Sequence, residues 1–267
     1  MSLATVATTI SVATLSACET ARPEVKITIE FQEETYTLDY VLYRKIAPAT
    51  VAHFITLAEN HYYDGLVVHD YNDGRLYTGG YNYEQGAANG GLIYKEYYEF
   101  VKTHKVPTTV LDIDGTSTYT LYGEFAANNF EVEHGHLKEE YGTLGMFYTQ
   151  KDAGVSVDLD HPEAGPSNNR DYKYNSATSL FFISLSTTTR DNSAYCTFAK
   201  LDEDSLDELK ALDAAVAKYI SDHEDATEKY SIVIDTDDRY FGEHQNRATY
   251  QVLSSPIIVK TVSVEKY

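Results

Sequence analysis

The chain has 267 residues and carries 41 Asp and Glu against 21 Lys and Arg, so its formal net charge at pH 7 is −20. This balance argues against a nucleic-acid binder, because neutralising phosphates requires clustered Lys and Arg. The hydrophobic content of 43%, with 24 Tyr, 10 Phe and no Trp, is too high for a disordered acidic chain, and the length allows one large domain or two small ones.

The first residues are similar to an export signal. Residues 3–17 are apolar or small and charge begins at Glu19, a length that suits a signal peptide and is too short to cross a membrane. The run ends in Leu-Ser-Ala-Cys at Cys18, which resembles the bacterial lipobox, although no Lys or Arg precedes it. The pattern predicts a signal and tether over 1–24 with lipidation at Cys18; the alternative is a disordered leader with an incidental Cys.

The next segment predicts two strands followed by a helix. Apolar and polar residues alternate over 25–31 and again over 35–42, as in half-buried strands. Pro48 then opens a helix, at a position where its missing N–H costs nothing. One face of that helix is apolar: Val51, Phe54, Ile55 and Ala58.

A second helix is predicted late in the chain, after several short strands. Ser205 and Glu208 form a Ser-x-x-Glu capping box ahead of an apolar face made of Leu206, Leu209, Leu212, Val216 and Tyr219. Cys196 is interpreted as a small buried hydrophobic residue in the strand before it. The other predicted strands lie at 66–71, 75–81, 142–148, 179–184, 194–201 and 256–264.

Three polar stretches interrupt these elements and are interpreted as insertions into a domain spanning 25–267. The stretch 95–120 has some strand character, 150–177 reads as a long surface loop, and 222–250 as a hairpin. Many strands with two separated helices, and no alternation of strand and helix, predict a mostly β fold. Its antiparallel sheet closes into a barrel with helices covering the ends.

In this order the residues resemble the cyclophilin family. The resemblance implies a closed eight-stranded antiparallel barrel capped by two α-helices, and peptidyl-prolyl cis–trans isomerase activity without cofactor. The motifs that carry it are Pro-x-Thr-Val-x-x-Phe at 48–54, Tyr-Asp-Gly at 63–65, Gly-Gly at 79–80, Gly-Gly-x-Ile-Tyr at 90–94, Glu-Phe at 124–125, Asn-Asn-Phe at 128–130, Gly-Thr-Leu-Gly-Met at 142–146, Ser-Leu-Phe-Phe-Ile at 179–183, Phe-Ala-Lys-Leu at 198–201 and the closing run 256–262.

The resemblance also implies where the site lies and that most of its catalytic groups are replaced. The family's catalytic Arg falls at Asp70, and an ionised carboxylate only accepts hydrogen bonds. Phe182, the floor of the family's proline pocket, is retained. The remaining peptide-binding positions fall at Arg75, Leu76, Thr78, Phe147, Tyr148, Leu180 and Tyr195.

Two functional hypotheses stay open at this point. In the first, Arg75 supplies the guanidinium lost at Asp70, and Asp70 orients it through a bidentate pair; the Arg75 side chain is then expected to reach the Phe182 pocket. In the second, Arg75 and Asp70 form an ordinary surface ion pair. The domain is then an inactive peptide- or protein-binding module with an aromatic groove of Tyr148, Phe182 and Tyr195. Both hypotheses would be contradicted if the insertions covered this groove.

No cofactor or metal is predicted. The run from Glu133 to His136 has no identifiable third ligand, Asp112 and Asp114 lack the rest of a calcium loop, and His69 is expected to be structural. The expected partners are proline-containing polypeptides or a surface protein, without nucleic acid. Membrane contact is expected only through Cys18, on the outer face of a bacterial cell membrane.

Overall fold

The structure is a computed structural model that describes residues 21–111, 114–128, 135–147, 156–159, 169–171, 178–191, 195–233 and 247–267. The predicted lipobox, Cys18 and Tyr148 lie outside these ranges. Within them, no helix combines the length and the apolar character needed to cross a membrane.

The described residues form sixteen strands and four helices. The helices are α1 (Pro48–Glu59), α2 (Ala88–Gly91), α3 (Tyr97–His104) and α4 (Leu206–Asp222). The strands are β1 (Glu24–Phe31), β2 (Glu34–Leu42), β3 (Leu66–Val67), β4 (Asp70–Asn72), β5 (Arg75–Thr78), β6 (Tyr81–Tyr83), β7 (Leu92–Tyr94), β8 (Val110–Leu111), β9 (Leu144–Met146), β10 (Ser156–Leu159), β11 (Asn169–Asp171), β12 (Phe181–Ser184), β13 (Cys196–Leu201), β14 (Thr227–Val233), β15 (Arg247–Leu253) and β16 (Ile258–Lys266).

The main sheet confirms the mostly β prediction and corrects the predicted barrel. It has eleven strands in the order β4-β5-β12-β9-β13-β2-β1-β16-β3-β6-β7, and it curls into a half-barrel instead of closing as eight strands. The strand predicted at 66–71 splits because Val68 donates its N–H to Ile257 while His69 donates to Tyr77. Gly79 splits the next predicted strand at φ +99°, where a Cβ would lie 2.2 Å from a backbone oxygen.

Helix α1 begins at Pro48 as predicted and buries the expected apolar face in the core. Its cap is a long-range contact that the sequence pattern did not indicate. The buried carboxylate of Glu124 accepts hydrogen bonds from the backbone N–H groups of Ala49 (3.1 Å) and Thr50 (2.8 Å). These are N–H groups that a helix cannot satisfy within itself, so Glu124 stabilises the first turn.

The capping box predicted for α4 is wrong. The Ser205 hydroxyl does not cap the helix; it accepts a hydrogen bond from the Asp39 backbone N–H (2.9 Å). A one-turn 3₁₀-helix (Glu203–Ser205) precedes α4, and the Asp202 carboxylate accepts a hydrogen bond from the backbone of Asp204 at its start. The amphipathic face is confirmed, because Leu209, Leu212 and Val216 are buried.

The three predicted insertions contain more regular structure than expected. The first holds α3 and β8, and its Tyr97 hydroxyl lies 3.3 Å from Nε2 of the buried His53 on α1. In the second, β10 pairs with β11 and β8, so the surface-loop prediction is wrong for those residues. In the third, β14 and β15 form an antiparallel hairpin, as expected.

Candidate functional site

The site is built on β5, which lies between β4 and β12 in the main sheet. Tyr77 pairs with Phe182 and Arg75 with Ser184, while Phe182 also pairs with Gly145 of β9. Because successive residues of a strand point to opposite faces, Arg75 and Tyr77 share one face with Phe182. Gly145 is required there, since a Cβ at this residue would lie 2.1 Å from the Phe182 ring.

Arg75 is held by a buried carboxylate, that of Glu139. Its Nε donates to Glu139 Oε1 (2.8 Å) and its Nη2 to Oε2 (2.6 Å), a bidentate pair. The Ser184 hydroxyl donates to Oε1 as well (2.9 Å), and Arg75 Nη1 donates to the Tyr77 hydroxyl (3.1 Å). Arg75 is 5% exposed and Glu139 is 0% exposed, so this ion pair is enclosed by protein.

The guanidinium also covers the face of Phe182. Arg75 Cζ lies 4.6 Å from the centroid of the Phe182 ring and 4.8 Å from that of Tyr195, both within cation–π range. The rings of Tyr77 and Tyr195 flank Phe182 at 5.5 and 5.8 Å, and Phe182 is 0% exposed. We call Arg75, Tyr77, Glu139, Phe182 and Tyr195 the Arg75 cluster.

Both members of the ion pair stay charged. Burial alone would raise the pKa of Glu139, but the hydrogen bonds and charge of Arg75 outweigh it and lower that pKa. Burial alone would lower the pKa of Arg75, but its hydrogen bonds to Glu139 and Tyr77 outweigh burial and raise it. The guanidinium is therefore neutralised and fixed in direction by its own carboxylate.

Asp70 does not orient Arg75, so the predicted pair is wrong. Its Oδ1 instead accepts a hydrogen bond from the Gln251 backbone N–H of β15, at 2.7 Å. Asp70 stands opposite Tyr77 in the β4–β5 pair, and Asn72 is the residue opposite Arg75. Burial raises the pKa of Asp70 to about 6, and the Gln251 N–H offsets part of that rise.

The structure brings four of the predicted site residues together: Arg75, Phe147, Phe182 and Tyr195. Phe147 joins them through Tyr77, whose ring centroid is 5.8 Å away. Leu180 is half-buried beside this group, and its carbonyl accepts a hydrogen bond from the Phe147 backbone (2.9 Å).

Two predicted site residues lie on the other face of β5, which corrects their expected place beside Phe182. Leu76 is part of the main hydrophobic core. Thr78 is buried, and its hydroxyl donates to the Val67 carbonyl at 3.0 Å. The alternation of β5 would have favoured Tyr77 over either residue. No local sequence pattern predicts that Glu139 binds Arg75, because the two residues lie 64 positions apart in the chain.

The metal and histidine predictions concern residues that are only partly described. Asp112, Glu133 and His134 lie outside the described ranges, and Asp114 accepts a hydrogen bond from the Thr116 backbone (2.8 Å), as in a turn. Within those ranges no three His, Cys, Asp or Glu side chains are grouped for a metal ion. His69 is 2% exposed and packs against the rings of Tyr81 and Tyr250, which agrees with a structural position.

Comparison with known proteins shows what the chain is similar to. Two similar solved structures are of a cyclophilin type peptidyl-prolyl cis-trans isomerase from Cryptosporidium parvum. The first, determined in the presence of the dipeptide Ala-Pro, is 17% identical with a TM-score of 0.46; the match covers 91% of this chain and 99% of that chain. The second is 18% identical with a TM-score of 0.44, covering 92% and 99%. No curated protein matches the sequence. Residues 26–157, just under half of the chain, match the family model described as "Cyclophilin type peptidyl-prolyl cis-trans isomerase/CLD", so this segment is similar to that family.

Proposed function

We propose that the chain is a cyclophilin-type module that binds polypeptides without isomerising X–Pro bonds. The observation that carries this proposal is the burial of Phe182, which is 0% exposed beneath Arg75, Tyr77 and Tyr195. Rotation about a peptide bond meets a barrier of ~18–20 kcal/mol. Lowering it requires a pocket for the proline ring and a donor aimed at the imide nitrogen. A fully covered Phe182 offers no such pocket.

The polar groups of the site point to the same conclusion. Asp70 stands where the family resemblance expects an Arg, and its carboxylate accepts a hydrogen bond from the Gln251 backbone. Nε and Nη2 of Arg75 donate to Glu139, and Nη1 donates to the Tyr77 hydroxyl. Turning the guanidinium towards a substrate imide nitrogen would therefore first require breaking a buried, charge-assisted pair.

Binding would use the rim of the Arg75 cluster, where aromatic side chains remain partly accessible. Tyr77, Phe147 and Tyr195 are each half-buried. Aromatic side chains with a polar tip suit an extended polypeptide, because they supply apolar area and a hydrogen-bonding group together. A bound polypeptide would lie across this rim without placing a proline ring on Phe182.

A second candidate function is isomerisation with Arg75 as the relocated donor. One observation favours it: the guanidinium does reach the Phe182 ring, with Cζ 4.6 Å from the centroid. This is the position expected if Arg75 replaces the family's arginine. The rim would then open during turnover, and Arg75 would exchange Glu139 for the substrate.

A protease-coupled isomerisation assay on short X–Pro peptides separates the two functions. The variants are Arg75→Ala and, as a matched control, Arg22→Ala, which removes an exposed arginine that lies over the Tyr43 ring. We expect no acceleration by the folded wild-type protein. Acceleration that disappears in Arg75→Ala but persists in Arg22→Ala would overturn the proposal in favour of the second function.

Binding is measured separately with a Trp-containing proline peptide, because the chain has no Trp and the peptide can be excited selectively. The proposal expects a rise in its fluorescence anisotropy that is reduced in Phe147→Ala. Absence of any rise would contradict the binding function, whatever the isomerisation assay gives.

We further propose that the module is tethered by a lipid on Cys18 to the outer face of a bacterial cell membrane. The support is the sequence alone: an apolar run that ends in Leu-Ser-Ala-Cys, followed by a polar tether. Its polypeptide partners would then be exported or surface proteins. Expression in a bacterium with labelled fatty acid tests this, since Cys18→Ser is expected to lose both the label and the membrane fraction.

A further inference from the structure

The β14–β15 hairpin packs on the main sheet without joining it. Its two strands pair only with each other in the strand order. Tyr250 of β15 packs its ring 4.8 Å from His69 and 5.7 Å from Tyr81. At the other end, Gly90 fits closely against Tyr230 and Val252, since a Cβ on Gly90 would lie 2.8 Å from the Tyr230 ring. The hairpin therefore lies along the β4 edge as a separate layer.

A carboxyl group lies at the centre of this contact. Asp70, at the start of β4, is 8% exposed, and its Oδ1 accepts the backbone N–H of Gln251 at 2.7 Å. The titratable groups facing it are Tyr77 from β5 and Tyr250 from β15, and both have raised pKa values because of burial. The Asp70 carboxylate is thus buried among groups that are neutral at physiological pH.

The neighbouring His69 supplies no compensating positive charge. Burial lowers its pKa to about 3, so the imidazole is neutral, and its Nδ1 has no hydrogen-bond partner among the described residues. Among the described residues, the group that favours the Asp70 anion is the Gln251 N–H. A neutral carboxyl keeps that bond, because its carbonyl oxygen is still an acceptor, and it avoids the cost of burying a charge.

We propose that the β14–β15 hairpin is a pH-sensitive strap, held more tightly on the β4 edge when Asp70 is protonated than when it is ionised. The inference does not depend on whether the domain binds or isomerises polypeptides. The pH-sensitive contact is the hydrogen bond that the Gln251 backbone N–H donates to Asp70. No cation is among the described contacts of Asp70.

The direction of the pH dependence follows from the linkage between hairpin docking and protonation of Asp70. Burial raises the pKa of Asp70 from 3.8 to about 6 while the hairpin is docked, and undocking returns the carboxyl to water. Docking is therefore strongest below the ordinary pKa, weakens as pH rises from the ordinary to the raised value, and is constant above it. A difference of about two pKa units corresponds to at most about a hundredfold in the docking equilibrium.

Hydrogen exchange tests the strap on the full chain. Protection factors are measured for the Gln251 amide and for β1 amides, in wild type, Asp70→Asn and Asp213→Asn, at about pH 4 and about pH 7.5. Asp213 is the control, because it is a carboxyl on α4 with a raised pKa whose hydrogen-bond partner is the Tyr141 hydroxyl and not the hairpin.

We expect Gln251 protection in wild type and in Asp213→Asn to fall up to about a hundredfold from the lower to the higher pH, while protection in Asp70→Asn stays constant. Protection in β1 should change much less in all three proteins. The proposal is overturned if Asp70→Asn keeps the wild-type pH dependence, if wild type shows none, or if β1 changes by the same factor as the hairpin.

Discussion

Removing the carboxylate that faces Arg75 should destabilise the protein far more than removing the whole ion pair. In Glu139→Leu the guanidinium keeps its buried place over Phe182 and loses both of its charge-assisted hydrogen bonds to the carboxylate. Breaking a buried pair by deleting one partner costs about 3–5 kcal/mol, because an uncompensated charge remains in the interior. The Ser184 hydroxyl also loses its acceptor, while Asp73 Oδ2 still lies 3.7 Å from Arg75 Nη1, so we expect a cost within that range.

The double variant Arg75→Met/Glu139→Leu should recover most of this loss. It removes both charges and fills the space with apolar side chains of similar size, a replacement that is often neutral or stabilising by about 1–4 kcal/mol. The coupling energy of the double-mutant cycle should therefore exceed about 2 kcal/mol and favour the double variant.

Urea unfolding followed by far-UV circular dichroism gives the free energies of unfolding for the cycle. Glu99→Ala is the control, since Glu99 forms an exposed pair with Lys102 and should cost less than about 1 kcal/mol. A cost below about 1 kcal/mol for Glu139→Leu, or a double variant as destabilised as the sum of its singles, would refute the argument that Arg75 is held charged in the interior.

Three further predictions concern packing, capping and the thiol. Gly145→Ala should lower the free energy of unfolding by more than about 2 kcal/mol, because its Cβ would lie 2.1 Å from the Phe182 ring; Gly80→Ala, which meets only a flexible leucine tip, should cost less. Glu124→Ala should cost about 1–2 kcal/mol and Glu124→Gln less, in the same urea titration, because the amide keeps one acceptor for the first turn of α1. Cys196 is buried with a raised pKa, so on a background without the N-terminal cysteine a thiol reagent should modify it only after denaturation; rapid native labelling would contradict its burial.

The sequence predicted those parts of the fold that local patterning determines. Alternation located β1 and β2, and a proline ahead of an apolar stripe located α1, because both depend on residues close together in the chain. The position of Cys196 followed from a short apolar run. These contacts need no knowledge of which segments meet in space.

The parts that were missed depend on which distant segments come together. Glu124 caps α1 and Glu139 binds Arg75, and neither carboxylate has a local pattern that separates it from the other acidic residues. Two predicted strands were too long because Gly79 and Val68–His69 interrupt runs that look continuous in sequence. Leu76 and Thr78 were assigned to the site by resemblance, although the alternation of β5 directs them away from Phe182.

The pairing of β1 with β16 has a consequence for how the protein is made. Glu24 pairs with Lys266, and β1 lies between β2 and β16 in the middle of the main sheet. One of the first strands to be synthesised therefore waits for one of the last before its second edge is covered. Sheets dominated by such distant pairings fold slowly, and an uncovered strand edge invites pairing with other chains. Until β16 is available, the edge of β1 that it covers stays open to such pairing.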